Sequence, residues 1–145
     1  MAQQDWPRPL RPVLMGTQHM VSGGHYLATA AGVRILEAGG NAIDAGVATG
    51  LCINVTQADL TNLGGVAPIM LYRADSGTVE TISGLGCWPQ AASIDFFQRQ
   101  QGGRIQRGIH RCVMPAAVDA WCTALERHGT MSLAEVAAPA IELAE

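Results

Sequence analysis

Residues 35–45, Ile-Leu-Glu-Ala-Gly-Gly-Asn-Ala-Ile-Asp-Ala, join two helical patterns through Gly39-Gly40-Asn41. Upstream, Leu27, Ala28, Ala31, Ile35 and Ala38 fall on one face at helical spacing, and Glu37 points away from it. The two glycines are expected to supply the positive φ that ends a helix at little cost. Asn41 is a good N-cap for the next helix, and Asp44 puts negative charge in its first turn. That second helix, read as Ala42 to Val55, carries Asp44 as its only charge and is apolar most of the way round. A helix with no polar face has none to give to water, so it is expected to lie sandwiched between layers.

Composition agrees with a buried, layered chain. Charged residues make up 14% of the 145 and hydrophobic ones 48%, with abundant glycine and alanine, a balance suited to elements covered on several sides. The length is that of one domain. A net charge of −3 gives no electrostatic reason to expect nucleic acid as a partner. The one basic run, Arg104, Arg107, His110 and Arg111, includes Gly108 and reads as a solvated loop. Met1 to Pro7 lacks the basic-then-apolar layout of a secretory leader, and the apolar run Ala45 to Val55 is too short to span a bilayer. A soluble cytoplasmic protein with no membrane partner is therefore expected, or a periplasmic one if a leader has been removed.

Cys52, Cys87, Cys112 and Cys122 show no paired CxxC spacing, and three of them sit among apolar residues as expected buried thiols. His19, His25 and His128 lack ligand spacing, and His110 with Cys112 is an isolated pair. No metal and no cofactor is expected.

Along the chain, residues 1–16 are Pro-rich and read as an extended arm, and residues 17–145 as one unit. A first strand is expected over Thr17 to Ser22, then helices over His25 to Ala38 and Ala42 to Val55, with a loop from Thr56 to Gly65. Pro68 to Arg73 and Val79 to Ile82 read as an antiparallel hairpin. Gly84 to Pro89 is a glycine-rich loop, Ile94 to Gln101 a short helix and Gly102 to His110 another loop. Pro115 is expected to open a helix that runs to His128. Ser132 and Glu135 form a capping-box pattern for a last helix from Leu133. That helix ends in Glu142-Leu143-Ala144-Glu145 with no stop signal, so the chain reads as part of a larger assembly.

Several words in this order and spacing carry a resemblance. They are Met20-Val21-Ser22, the Gly39 to Ala45 corner with its apolar helix, Asn62-Leu63-Gly64-Gly65, His128 to Leu133, Val136 to Ala140, and Glu142 to Ala144. Together they resemble the start of the large subunit of γ-glutamyltransferases, members of the N-terminal-nucleophile (Ntn) hydrolases, from about Met20 to Glu145. The resemblance implies an α+β fold, the αββα sandwich of that superfamily, with this chain an incomplete N-terminal portion of it. It implies an autoprocessed transferase or hydrolase of the glutathione type, acting on a γ-glutamyl compound or a related small amide. The implied partners are the remainder of the large subunit and the small catalytic subunit. Ntn hydrolases use a newly exposed N-terminal Thr, Ser or Cys as nucleophile, with its own α-amino group as base. Here Met1 precedes Ala2, so no catalytic residue is expected in this chain; in the family a threonine at the start of the small subunit has that role.

The large subunit of the family supplies substrate recognition. The strand similar to Val79–Ile82 runs into an Asp-aromatic-Arg-Glu segment ending in Ala-Pro, whose arginine holds the α-carboxylate of the γ-glutamyl group. A guanidinium fork suits a carboxylate because both oxygens can be bound at once. This chain reads Ser83-Gly84-Leu85-Gly86-Cys87-Trp88-Pro89, and Leu85 stands where that arginine would be. Two readings compete. Leu85, Cys87 and Trp88 line an altered, more apolar acyl pocket, or Arg104, Arg107 or Arg111 replaces the lost charge from elsewhere. Cys87 has no nearby histidine in sequence and a tryptophan beside it, so a structural or pocket-wall thiol is expected. The Asn62–Gly65 word also departs from the family, continuing with Val66-Ala67-Pro68 instead of two more glycines. A packing turn into the next strand is expected, with Asn62 and Asp59 only outlying candidates. The alternatives in function are an amidase or acylase with a non-glutamyl acyl group, and a non-catalytic scaffold member of the family.

Overall fold

The computed structural model describes residues 12–145, so most of the expected arm, residues 1–11, lies outside the described residues. The helix α1 (Tyr26–Glu37) starts at His25, whose ring Nδ1 accepts the Leu27 N–H at 3.3 Å. The helix α2 (Ala42–Thr56) follows after the Gly-Gly corner. Asn41 Oδ1 accepts the N–H groups of Ile43 and Asp44, at 2.8 and 3.1 Å, and Asp44 returns the contact by accepting the Asn41 N–H at 2.8 Å. Each partner thus satisfies a donor that the first helical turn leaves free.

The smallest residues decide how α1 meets α2. Ala28, Ala31, Gly32 and Ile35 are buried, and a Cβ on Gly32 would lie 2.3 Å from Thr49 Oγ1. Only glycine permits so close a crossing. Leu27 and Ala38, expected on the buried face, are exposed instead, because the contact is narrower than the full apolar stripe. The corner glycines also divide their work. Gly39 takes φ 96° with open space around it, whereas Gly40 has no positive φ. Gly40 is needed for room: a Cβ there would lie 2.7 Å from Ile35 Cγ2 and 2.9 Å from Met131 Sδ.

As its apolar surface requires, α2 is covered by α1, by α5 (Leu133–Ala144) and by α4 (Ala117–His128). Ile35, Val47, Ala48, Ala124, Leu125 and Val136 form the main core, and Ala28, Ala31, Cys52 and Ala140 a second cluster. The α5 capping box is present, Ser132 Oγ accepting the Glu135 N–H and Glu135 accepting the Ser132 N–H at 2.8 Å. Helix α4 begins at Ala117, two residues after the expected Pro115. Its capping residue, Ala116, offers no side-chain acceptor. Instead the Ala116 and Ala117 N–H groups both donate to the Gly65 carbonyl at 3.2 Å. The Asn62–Gly65 turn is thus a packing element that anchors the start of α4.

Strands β1 (Ile69–Arg73) and β2 (Thr78–Ile82) form the antiparallel hairpin, with Leu71 opposite Glu80 and Tyr72 opposite Val79. Ile69, Leu71 and Ile82 face the helices, while Met70, Tyr72 and Val79 are 77, 66 and 61% exposed on the other face. The first strand expected over Thr17–Ser22 does not form among the described residues. A strand exists only through a partner's ladder, and the two-stranded hairpin offers that segment none. Of the cysteines, Cys52 is buried and Cys122 half-buried, but Cys87 and Cys112 are exposed because they flank a surface loop and not the core.

Candidate substrate-recognition loop

The segment Ser83–Pro89 emerges from β2 and passes between two other stretches of backbone. The Ala67 N–H donates to the Gly84 carbonyl at 2.9 Å, and the Met114 N–H donates to the Cys87 carbonyl at 2.9 Å. Leu85 lies between these two pins with its side chain displayed outward, 52% exposed. Trp88 turns the other way and packs on Phe97 of α3 (Ile94–Gln100), with ring centroids 5.4 Å apart. Together with Ile94, Phe97 and Ile105 it lines a hollow of about 380 Å³.

Leu85 and Cys87 lie outside that hollow, and the Cys87 thiol is exposed. Among the arginines weighed as a relocated charge, Arg111 donates to the Ile105 carbonyl at 3.1 and 3.3 Å and so braces its own loop. Arg104 and Arg107 make no ion pair among the described residues. His110 packs its ring against Phe96, centroids 5.5 Å apart, and supports the same small aromatic cluster.

Two polar connections escaped the sequence reading. His128, at the end of α4, places Nε2 3.1 Å from Glu80 Oε2 and so ties the helices to the hairpin. The larger one is centred on Asp44, which is fully buried. Its carboxylate accepts the Thr130 hydroxyl at 2.7 Å, the Thr130 N–H at 3.1 Å and the Met131 N–H at 3.3 Å, besides the Asn41 N–H. Asn41 Nδ2 completes the clasp by donating to the His128 carbonyl at 2.6 Å. Gly129 makes room for it, since a Cβ there would lie 2.8 Å from Asp44 Oδ1. Burial alone would push the Asp44 carboxyl up, but the hydrogen bonds outweigh it and hold it below the usual carboxylate range. The lone charge in an apolar helix was the available signal, because a buried carboxylate requires donors.

Helices stacked on one face of an antiparallel hairpin, with the other face bare, are part of the αββα sandwich of the N-terminal-nucleophile hydrolases. A solved γ-glutamyltranspeptidase from Helicobacter pylori superposes with a TM-score of 0.80 at 29% identity, over 92% of this chain and 39% of that one. Residues 28–145 match the family described as gamma-glutamyltranspeptidase, and the chain belongs to that family.

Two curated relatives are similar along most of its length. The glutathione hydrolase-like YwrD proenzyme of Bacillus subtilis is 35% identical over 133 residues, 91% of this chain and 25% of the relative. The acylase ACY 1 proenzyme of Pseudomonas sp. strain V22 is 39% identical over 142 residues, 90% of this chain and 25% of the relative. The chain therefore spans about a quarter of the length of these relatives.

Proposed function

We propose that the complete protein is an autoprocessed amide hydrolase or acyltransferase whose acyl substrate lacks the α-carboxylate of a γ-glutamyl group. The carrying observation is Leu85, held by its backbone and displayed outward at the position where the family's carboxylate-binding arginine is expected. An apolar side chain there offers no partner to an anion, and burying an unpaired carboxylate beside it is costly. Similarity to an acylase supports a non-glutamyl acyl group, while similarity to a glutathione hydrolase-like protein supports the amide-hydrolase class alone. In this reading Leu85 touches the acyl part of a small amide, and Trp88, turned away onto Phe97, braces the loop behind it. The threonine nucleophile is supplied by a small subunit, which with the rest of the large subunit completes the site.

The loss of one charge-assisted contact is worth roughly 1.5–3 kcal/mol, or about ten- to a hundredfold in substrate selection. The test is to assay the full-length, processed protein on a γ-glutamyl anilide and on matched acyl anilides without the α-amino acid group. The acyl anilides are expected to be preferred by at least about tenfold. Efficient turnover of the γ-glutamyl compound that collapses on replacing Arg104, Arg107 or Arg111 would show that the charge has moved, and would overturn the proposal.

A further inference from the structure

Four of the chain's nine lysine and arginine residues, Arg99, Arg104, Arg107 and Arg111, fall within residues 99–111, a stretch with no acidic residue in a chain of net charge −3. All four are exposed. Arg99 faces Asp95 at 3.7 Å, one turn back on α3. Among the described residues no carboxylate lies within ion-pairing distance of the other three. Arg111 hydrogen-bonds to the Ile105 carbonyl, and a neutral acceptor leaves its charge in place.

The loop that carries these charges is tied down. The Gly103 N–H donates to the Phe97 carbonyl at 2.8 Å and fastens one end to α3. Arg111 closes residues 105–111 on themselves, and His110 packs on Phe96. Gly103 and Gly108 turn the chain through the left-handed region, at φ 73° and 104°, with open space where a Cβ would stand. At the other end the chain runs on to Met114, whose N–H holds the Cys87 carbonyl, while Phe97 backs Trp88. The arginine loop is thus joined at both ends to the segment that displays Leu85.

Three unopposed charges on one small surface make a local positive field in a chain that is negative as a whole. Such a field concentrates anions at the surface and speeds their arrival by about ten- to a thousandfold at low salt. It needs no fixed contact, so exposed guanidinium groups suit it. We infer that Arg104, Arg107 and Arg111 draw anionic amides to the site and set a preference for a carboxylate on the amine half of the substrate. The choice of half rests on the reading of position 85 given above. An acyl group seated against Leu85 is uncharged, so the anionic group belongs to the leaving amine.

The experiment uses the full-length, processed protein and two amides of one uncharged acyl group, the amine being aniline in one and 4-aminobenzoate in the other. The readout is the ratio of the two KM values as salt is raised, because electronic differences between the amines do not follow salt. At about 10 mM salt the Debye length is about 30 Å, and KM is expected to be about tenfold lower for the carboxylated amide. At about 1 M salt the length falls to about 3 Å, and the ratio should approach one. Arg104→Gln combined with Arg107→Gln should remove most of the low-salt preference. Arg104→Lys combined with Arg107→Lys should keep it, since a field requires charge and no planar fork. Arg111 is left in place because it braces the loop. A ratio indifferent to salt, unchanged in the glutamine pair or lost in the lysine pair overturns the inference. If γ-glutamyl anilides are turned over in preference, the reading of position 85 fails instead. The same two amines joined to a γ-glutamyl group then test the arginine loop in its own right, so the two failures are distinct.

Discussion

Thr130 donates both its hydroxyl, at 2.7 Å, and its backbone N–H, at 3.1 Å, to the carboxylate of Asp44, 86 residues earlier in the chain. The two halves of this clasp, Asn41 to Asp44 and His128 to Met131, fall within two of the words that carry the family resemblance. Far apart in sequence, they are one object in space, the N-terminus of α2 held against the turn between α4 and α5. Replacing Asp44 by alanine strands the Thr130 and Met131 N–H groups next to a void. Hydrogen bonds to a charged group contribute about 1.5–3 kcal/mol each, so Asp44→Ala should destabilise the protein by at least about 3 kcal/mol in chemical denaturation. A loss under about 1 kcal/mol would show that the clasp is incidental.

The same carboxylate sets an acid limit. Its folded pKa lies below the ordinary 3.8 expected in the unfolded chain. Below that value the unfolded chain binds a proton that the folded one declines, so unfolding gains as pH falls. The contribution is complete above 3.8 and lost as pH drops through the folded value. Surface carboxylates do not replace it: Glu135 and Glu142 shift in the same direction through Ser132 and Arg34, but they sit in water. Thermal melts taken from about pH 6 to pH 2 should show a shallower acid limb in Asp44→Asn than in the parent. Parallel limbs would remove Asp44 from the explanation.

The two corner glycines should respond differently to one substitution. Asparagine tolerates the left-handed region better than most residues, and Gly39 has open space around it. Gly39→Asn should therefore cost under about 1 kcal/mol. Gly40→Asn meets Ile35 and the Met131 sulfur, and overpacking of that kind costs about 1–3 kcal/mol. Equal losses, measured as changes in denaturation midpoint, would contradict the division of roles between them.

How much of this was legible in the sequence depends on whether local chemistry or a distant partner decided the outcome. The helices, the hairpin and the Ser132–Glu135 capping box follow from periodicity and capping within a few residues, and the structure has them. The strand over Thr17–Ser22 needed a partner ladder, and α4 shifted to Ala117 because Gly65, remote in sequence, supplied its acceptor. Leu85 is singled out by the resemblance alone, but the two backbone pins around it, Ala67 to Gly84 and Met114 to Cys87, were not legible. Nothing local says that Gly84 would meet Ala67 or that Cys87 would meet Met114.

The chain taken alone should be association-prone. Met70, Tyr72 and Val79 leave one face of the hairpin bare, and a second apolar hollow of about 650 Å³ opens between α2 and α5 around Leu51, Val55, Ala140 and Ile141. Exposed apolar surface on this scale marks an interface or an aggregation site. Residues 1–145 expressed by themselves should bind a hydrophobic dye and elute as oligomers on gel filtration. A monomer with a sharp cooperative melt would refute this.

The reach of the Asp44–Thr130 contact also fixes an order of events. Helices α1 and α2 are neighbours through a short corner and can pair as soon as they exist, whereas the clasp must first close a long loop. Until Thr130 arrives, Asp44 keeps its charge hydrated at the tip of a corner already made. Thr130→Ala in the full-length protein should therefore speed unfolding by nearly its whole equilibrium effect and leave the refolding rate unchanged. Slower refolding would place the contact in the nucleus instead. The clasp acts as a latch on a formed corner, governing how long the helical layer lasts and not how quickly it appears.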